Sequence, residues 1–280
     1  MPLLTKNAEL GPPLRLSSWR KIAMGTWRDA KDPSVYGVLD LDAGPALAYI
    51  EQIKKATGLK ITLSHFVGRA LAITLHRNPA INAILRFGRI YPRKNVDIFF
   101  QVATDDKGHD LTGMVIRNAD RKSIPQTARE MNERVQIIRT KGDPDFKKMK
   151  GTFGSLPGSL AGFVLDFAGW FMYTLNLWTP LLGSPRDALG SCMITNIGSI
   201  GLDEAFVPLV PYSRVPLLIA VGASRDAPVV RNGEIKVATM IKLCATFDHR
   251  LIDGIHASHL ARTLQKIFAN PEQELGPPTE

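Results

Sequence analysis

The stretch that most constrains the fold lies near the C-terminus, where a β-type run leads through a short polar turn into an amphipathic helix. In residues 235–247 the odd positions are mostly apolar and the even ones mixed, the pattern of a half-buried strand. Helical spacing begins near Ile255 and ends at Asn270, before a proline. Residues 248–254, Asp-His-Arg-Leu-Ile-Asp-Gly, join the two. The Asp-Gly pair predicts a sharp turn from strand to helix at this point.

The turn places one histidine, His249, four residues before Asp253. A neutral imidazole, with an ordinary pKa of about 6.5, is suited to take a proton from a thiol of pKa about 8.5. We therefore predict His249 as a general base. Two structural interpretations stay open: His249 as a buried core histidine, and Asp253 as the N-cap of the following helix, which is compatible with an orienting role.

The rest of the chain alternates strand-like and helical segments without a strict βαβ rhythm. This pattern predicts an α+β fold, with one mixed sheet covered by helices. Predicted strands cover residues 34–42, 96–104, 114–117, 191–197 and 216–222. The first predicted helix covers residues 44–57. A second is capped by Thr62 or Ser64 and ends at Asn78-Pro79, and a third begins at Ser123.

Composition narrows the class of protein. The 280 residues are 45% hydrophobic and 22% charged, as in a globular domain, and carry a net charge of +9. A solvated basic surface explains the charge most simply, while attraction to a polyanion such as coenzyme A phosphates, anionic lipid or an acidic partner is the alternative. No nucleic-acid motif accompanies the basic charge.

The two cysteines have neither disulfide nor zinc-site spacing. This favours a reducing, cytoplasmic location and predicts no metal site.

Residues 247–254 resemble the signature of the catalytic domain of dihydrolipoyl acyltransferases, the E2 components of 2-oxoacid dehydrogenases. That family shares its fold with chloramphenicol acetyltransferase, so the resemblance implies a two-layer α/β sandwich of that kind. Five further segments fit the family in the same order: residues 20–23, 95–98, 102–104, 117–123 and 194–198. The likeness therefore covers about residues 17–272.

The resemblance also implies a homotrimer with active sites between subunits, coenzyme A or acyl-coenzyme A as substrate, and a lipoyl group as acceptor. His249 matches the family's general base, and Asp253 matches a residue that orients the turn. Thr195 matches the hydroxyl that stabilises the tetrahedral oxyanion, expected from the neighbouring subunit; an ordinary strand threonine is the alternative. Residues expected to shape the backbone around the site are Gly254, Asn196 and Gly198.

Two departures concern the ends of the chain. Residues 1–16 are expected to form an extended arm without a secretory signal, and the chain is expected to have no lipoyl or peripheral-subunit-binding domain ahead of residue 17. The lipoyl group is therefore expected from another polypeptide, a lipoyl carrier or an E1-like partner. Residues 273–280 are expected to be a polar tail without the family's hydrophobic anchor, which predicts a free trimer or an assembly built through another segment.

The third departure is an extra apolar segment at about residues 152–189. Between residues 160 and 182 only Asp166 is charged, but a membrane span there would separate two halves of one sheet. Read as a helix, the segment has an apolar face that favours a protein partner, a second trimer or a membrane surface; a helix buried in its own domain is the alternative. The aromatic residues expected on that surface are Phe163, Phe167, Trp170, Phe171 and Trp178.

Together these features predict an acyltransferase that moves an acyl group between coenzyme A and a thiol carried on another polypeptide. A hydroxyl or amine acceptor would suit the same base and oxyanion donor. A different class of function is a structural trimer whose inserted segment docks to a partner. A membrane-apposed acyltransferase acting on lipid-linked substrates is a third alternative.

Overall fold

The computed structural model describes residues 32–103, 111–141, 158–179 and 185–278. The chain divides after Pro33 into two compact units, and every element named below belongs to the second. The expected N-terminal arm, the family-like residues 20–23 and parts of the inserted segment lie outside the described residues.

Secondary structure follows the order expected of an α+β domain. The strands are β1 Ser34–Asp42, β2 Ala83–Arg86, β3 Arg89–Pro92, β4 Ile98–Ala103, β5 Leu111–Ile116, β6 Cys192–Asn196, β7 Leu217–Val221, β8 Arg225–Arg231 and β9 Glu234–Asp248. The helices are α1 Gly44–Thr57, α2 Leu63–Arg77, α3 Ile124–Lys141, α4 Gly158–Gly169, α5 Gly254–Ala269 and α6 Pro271–Leu275. A π-helical segment, Trp170–Thr174, continues α4.

Within the described ranges, seven strands form one mixed sheet in the order β1-β9-β7-β6-β4-β5, with β8 paired to β9. The β4–β6 and β6–β7 pairs are parallel and the others are antiparallel. Strands β2 and β3 form a separate hairpin. The parallel pairs bring the starts of β4, β6 and β7 to one edge of the sheet, and antiparallel β9 ends at that same edge.

One face of the sheet is covered by helices α1, α2, α3 and α5. Its core includes Phe66 and Phe268, whose rings meet edge to face with centroids 5.0 Å apart. A smaller apolar cluster on the opposite face contains Phe99, Met193 and Leu218, covered by residues around 207–212. Burial of these side chains is the main term holding the layers together.

Helix α2 begins as the sequence predicts, at Thr62. The backbone N of Thr62 donates to Nδ1 of His65 at 3.0 Å, which places a ring nitrogen where a capping box normally has a Glu or Gln oxygen. Histidine in this position is 6% exposed. The start of the helix is thus fixed by a buried imidazole.

The predicted polar tail needs one correction, because α6 covers Pro271–Leu275. Proline is well tolerated in the first turn of a helix, so Pro271 both ends α5 and starts α6. Leu275 packs against the main core and the Tyr49 hydroxyl donates to the Gly276 carbonyl at 3.0 Å. The chain is therefore packed to residue 276 rather than free from residue 273.

Candidate active site

The turn after β9 is closed by two backbone hydrogen bonds. The amides of Leu251 and Ile252 both donate to the Asp248 carbonyl at 2.9 Å. Leu251 and Ile252 are buried, so their side chains anchor the turn to the core. The reversal therefore comes from residues 248–251, whereas the sequence placed it at the Asp-Gly pair.

An ion pair between Asp248 and Arg250, the residues on either side of His249, fixes the same turn. The Asp248 carboxylate is nearly buried, and it accepts from the Arg250 backbone N at 3.0 Å and from Arg250 Nη2 at 2.7 Å. The hydrogen bond to Asp248 raises the pKa of Arg250 above its usual range. Sequence reasoning missed this clamp, although the acid and base two residues apart were a signal for it.

His249 is exposed between these two clamped residues. Its exposure rules out the alternative of a buried core histidine. A ring held on a rigid turn but open to its surroundings can accept a proton from an incoming substrate. The position of His249 is therefore compatible with the predicted role of a general base.

Asp253 is the N-cap of α5, as the structural alternative proposed. Its Oδ1 accepts from the backbone N of Ile255 and of His256, each at 3.0 Å, and lies 2.9 Å from Nδ1 of His256. The hydrogen bond from the His256 amide is the main cause that lowers the pKa of Asp253, and the charges of His256 and His249 act in the same direction. His256, expected to be a surface or packing residue, thus belongs to this capping group.

Gly254 does not have the role expected of it. A Cβ built there would meet no atom within 4 Å, and Gly254 is the first residue of α5 with an ordinary backbone conformation. The turn expected from the Asp-Gly pair does not depend on a glycine at this position, because the cap is made by the Asp253 side chain.

Thr195 lies near the end of β6, half-buried. Its neighbour Met193 belongs to the apolar cluster on the face without helices, and alternation puts Thr195 on that same face. Asn196 donates to the Ser64 hydroxyl at 3.0 Å and accepts from the Ser199 amide at 3.0 Å. This amide side chain ties the end of β6 to the start of α2.

Gly198 is required where it stands. A Cβ there would lie 2.7 Å from the Cα and N of Ala223, which is backbone and cannot move aside cheaply. Of the three residues predicted to shape the backbone, Asn196 and Gly198 make close local contacts, whereas Gly254 does not.

Strand register separates Thr195 from His249. Thr195 pairs with Ala220 on β7, whereas Leu217 pairs with Phe247, two residues before His249. At about 3.3 Å per residue, this places the two side chains about 15 Å or more apart within one chain. One chain therefore does not bring this base and this hydroxyl together on one substrate atom.

The inserted segment presents its aromatic residues to the outside. Phe163 is 68% exposed, Phe167 53% and Trp170 45%. Trp178 is also exposed, while Phe171 is half-buried with its ring 6.5 Å from that of Phe167.

The opposite side of this segment faces its own domain. Tyr173 is buried, and a Cβ on Gly169 would lie 2.7 Å from the Tyr212 carbonyl oxygen. Glycine thus permits the close approach, which leaves the aromatic residues outward. The segment is packed on one side and open on the other.

Among the described residues, no group of His, Cys, Asp or Glu side chains is arranged to hold a metal ion. None of the helices in the described ranges has the length and apolar character needed to cross a bilayer.

The family model described as "2-oxoacid dehydrogenases acyltransferase (catalytic domain)" matches residues 14–153 and 185–275. The residues that it leaves unmatched between these ranges fall within the apolar inserted segment.

Two curated relatives illustrate the likeness in sequence. The acetyltransferase component of the pyruvate dehydrogenase complex of Staphylococcus aureus is 27% identical over 224 residues, which are 79% of this chain and 42% of the relative. The acetyltransferase component of the acetoin cleaving system of Bacillus subtilis is 28% identical over 214 residues, which are 76% of this chain and 43% of the relative. The chain thus spans less than half the length of these relatives.

Solved structures show the same fold. Dihydrolipoamide acetyltransferase of Azotobacter vinelandii superposes with a TM-score of 0.64 at 22% identity, covering 98% of this chain and 100% of that one. A probable dihydrolipoamide acetyltransferase from Listeria monocytogenes gives 0.63 at 21% identity, covering 93% and 95%. The predicted α+β architecture, one mixed sheet covered by helices, is confirmed.

Proposed function

Because the chain belongs to the 2-oxoacid dehydrogenase acyltransferase (catalytic domain) family, we propose that it transfers an acyl group between coenzyme A and a thiol. The acceptor thiol is of the dihydrolipoyl type. The observation that carries this proposal is the exposed His249, held on a turn that Asp248, Arg250 and the Asp253 cap keep rigid.

The proposed mechanism uses His249 as the base and Thr195 as the oxyanion donor. His249 takes the proton of the attacking thiol, and the thiolate sulfur forms a bond to the thioester carbonyl carbon. The carbonyl oxygen becomes an oxyanion, which accepts a hydrogen bond from the Thr195 hydroxyl. When the intermediate collapses, the original carbon–sulfur bond breaks and His249 returns its proton to the leaving sulfur.

Two chains are needed for this chemistry, since Thr195 and His249 of one chain are too far apart to act on the same carbon. A homotrimer in which Thr195 of one subunit meets His249 of the next supplies both groups. The Azotobacter enzyme supports the assignment, because a serine, a histidine and an asparagine were studied in its catalytic mechanism. In that enzyme the histidine and asparagine are spaced like His249 and Asp253.

The partners proposed for the whole protein are a lipoyl carrier and an E1-like decarboxylase. Support comes from the relatives, which are components of the pyruvate dehydrogenase complex and of the acetoin cleaving system. The solved cubic core of a pyruvate dehydrogenase complex has this fold, with a TM-score of 0.64. Coenzyme A and the lipoyl group are then substrates.

The function is tested by consumption of acyl-coenzyme A with free dihydrolipoamide, comparing the natural protein with His249→Ala. The proposal expects turnover that falls by orders of magnitude in the variant. His259→Ala is a suitable control, because His259 is also exposed but lies within α5. Equal turnover by the natural protein and His249→Ala would refute this mechanism.

A second candidate function, docking or assembly through the inserted segment, is favoured by its outward aromatic residues. We propose that this surface contacts another trimer or a partner protein. Replacing Phe163, Phe167 and Trp170 by serine is then expected to reduce particle size in light scattering or to abolish partner capture. Unchanged particle size and unchanged partner binding would exclude this use, and binding of the natural protein to anionic vesicles would favour the membrane alternative.

A further inference from the structure

A cavity of about 600 Å³ lies between the β2–β3 hairpin, the residues that lead into β4, and the inserted segment. Its walls include Tyr91 and Arg93 from the hairpin side, and Tyr173 and Trp178 from the inserted segment. This volume is in the range of small-molecule sites, about 300–1,000 Å³. A third of its lining residues belong to the segment that the family model leaves unmatched, so this part of the wall is particular to this chain.

The charged residues that line the cavity are mostly basic. Four cationic side chains contribute to it, against two carboxylates, those of Asp97 and Asp187. Asp97 is already occupied, because it accepts from Arg117 Nη1 and from the Asn118 amide, each at 2.8 Å. The four cationic residues are Arg86, Arg93, Lys94 and Arg186.

Two donors of Arg93 have no partner among the residues that the structure describes. Its Nη1 pairs with the Asp187 carboxylate, whereas its Nε and Nη2 are buried and have no hydrogen-bond partner within the described ranges. Nε and Nη2 form one edge of the planar guanidinium, the geometry that a carboxylate or phosphate group occupies with two parallel hydrogen bonds. Burial of unpaired charged donors is unfavourable unless an anion completes them.

Other residues of the wall can hold the remainder of a ligand. The Arg86 guanidinium lies 5.1 Å from the centroid of the Tyr91 ring and its Nε donates to the Thr174 carbonyl at 2.9 Å. These contacts fix Arg86 at the junction of the hairpin and the inserted segment. The exposed rings of Tyr91 and Trp178 offer flat surfaces to an organic group.

The cavity and the turn that carries His249, residues 248–254, lie at the same edge of the sheet. Ile98 pairs with Cys192, and Leu217 pairs with Phe247, while the β6–β7 register sets Cys192 level with Leu217. These four residues form one row, and three strand spacings separate its ends, about 15 Å. A ligand longer than this distance can contact both places.

We propose that this cavity binds a phosphate group of a small organic ligand on the Nε–Nη2 edge of Arg93. The ligand has two possible sources: the nucleotide end of coenzyme A, which rests on the proposed function, or a separate phosphorylated metabolite. Arg186 and Lys94 supply further positive charge around the bound phosphate.

The test is calorimetric titration of the full chain, at physiological ionic strength, with adenosine 3′,5′-bisphosphate and separately with inorganic pyrophosphate. Arg93→Lys keeps the positive charge but loses the bidentate edge, and is expected to weaken binding about ten-fold or more. Arg186→Gln is expected to weaken it several-fold without affecting folding, because Arg186 is exposed. Arg89→Gln is the control: Arg89 is exposed on the same hairpin outside the cavity lining, and its loss is expected to leave affinity unchanged.

Coenzyme A is identified as the source if the protein prefers the bisphosphate and if Arg93→Lys increases the KM for acyl-coenzyme A without changing kcat. Equal binding of pyrophosphate, with normal acyl-coenzyme A kinetics in Arg93→Lys, identifies a separate phosphorylated ligand. Absence of binding by the natural protein overturns the proposal, as does an equal loss in Arg89→Gln. Phosphate binding without acyl transfer would instead refute the proposed function and leave this site standing.

Discussion

Thr195 and His249 lie near opposite ends of strand β7. Thr195 pairs with Ala220 toward the end of that strand, and the Asp248 amide beside His249 donates to the Pro216 carbonyl at 2.9 Å, just before the strand begins. The base and the hydroxyl are fixed by different elements, so neither can swing to the other without breaking the sheet. The proposed chemistry therefore requires a second chain.

Thr195 is expected to act through its hydroxyl. Thr195→Ala is predicted to lower kcat by about 10²–10³-fold, the usual effect of losing one oxyanion donor. Thr195→Ser retains the hydroxyl and is predicted to keep most of the rate. Steady-state kinetics with acyl-coenzyme A and dihydrolipoamide measure both variants, and equal loss in the two would show that the hydroxyl is not the important group.

Asp253 is expected to stabilise the catalytic turn by capping α5. Asp253→Ala removes the acceptor for the Ile255 and His256 amides, and is predicted to lower the thermal midpoint by about 2–4 °C and to reduce kcat. Asp253→Asn keeps an oxygen acceptor, so its midpoint is predicted to stay close to that of the natural protein. Thermal unfolding followed by circular dichroism checks this, and a normal midpoint in Asp253→Ala would contradict the capping role.

His65 is expected to make stability depend on pH. Burial lowers the pKa of His65 to about 4, against the raising effect of its hydrogen bond with the Thr62 backbone. The folded state therefore favours the neutral ring. Its contribution is complete above the unfolded pKa of about 6.5, and is lost as the pH falls from 6.5 toward 4, by about 3 kcal/mol at most.

A matched variant isolates this effect. His65→Gln has no titrating ring, and glutamine can accept from the Thr62 amide as in an ordinary capping box. Urea unfolding between pH 7 and pH 4 is predicted to show a smaller loss of unfolding free energy in the variant. Parallel pH curves for the two proteins would contradict the assignment to His65.

Two of the three glycines in helix α4 have opposite predicted responses to substitution. Gly162→Ala adds a methyl group where no atom lies within 4 Å, and should stabilise the helix by about 0.5–1 kcal/mol. Gly169→Ala drives Cβ toward the Tyr212 backbone at 2.7 Å and should loosen the segment. Hydrogen exchange of this helix should slow in the first variant and accelerate in the second, and the same direction in both would contradict the packing.

The apolar stripe of α5 was predictable because it follows from the helix period. The alternation predicted for β9 was wrong, because its first four residues are exposed, Ile235 and Val237 among them, and the strand is largely buried on both faces from Leu243 to Asp248. The β2–β3 hairpin and β8 were missed, because every residue of β3 is exposed and most of β8 is too. In a strand that is exposed on both faces, apolar residues do not alternate with polar ones, so the sequence shows no strand pattern.

The turn at residues 248–254 was identified as a candidate site from its residue types, but its construction was not predicted. The sequence placed the reversal at Asp253 and Gly254, whereas the Asp248 carbonyl and the Asp248–Arg250 pair form it. Such contacts depend on three-dimensional closure rather than on spacing. For the same reason, the separation of Thr195 from His249 required the strand register.

The central claim, that the site is shared between chains, is tested most directly by mixing two inactive variants. His249→Ala and Thr195→Ala, each purified alone, are predicted to have little activity. Unfolding and refolding them together in equal amounts should restore sites that combine an intact His249 with an intact Thr195, about one quarter of all sites if assembly is random. Recovered activity near that fraction is the predicted result, and a mixture as inactive as its two components would contradict the account.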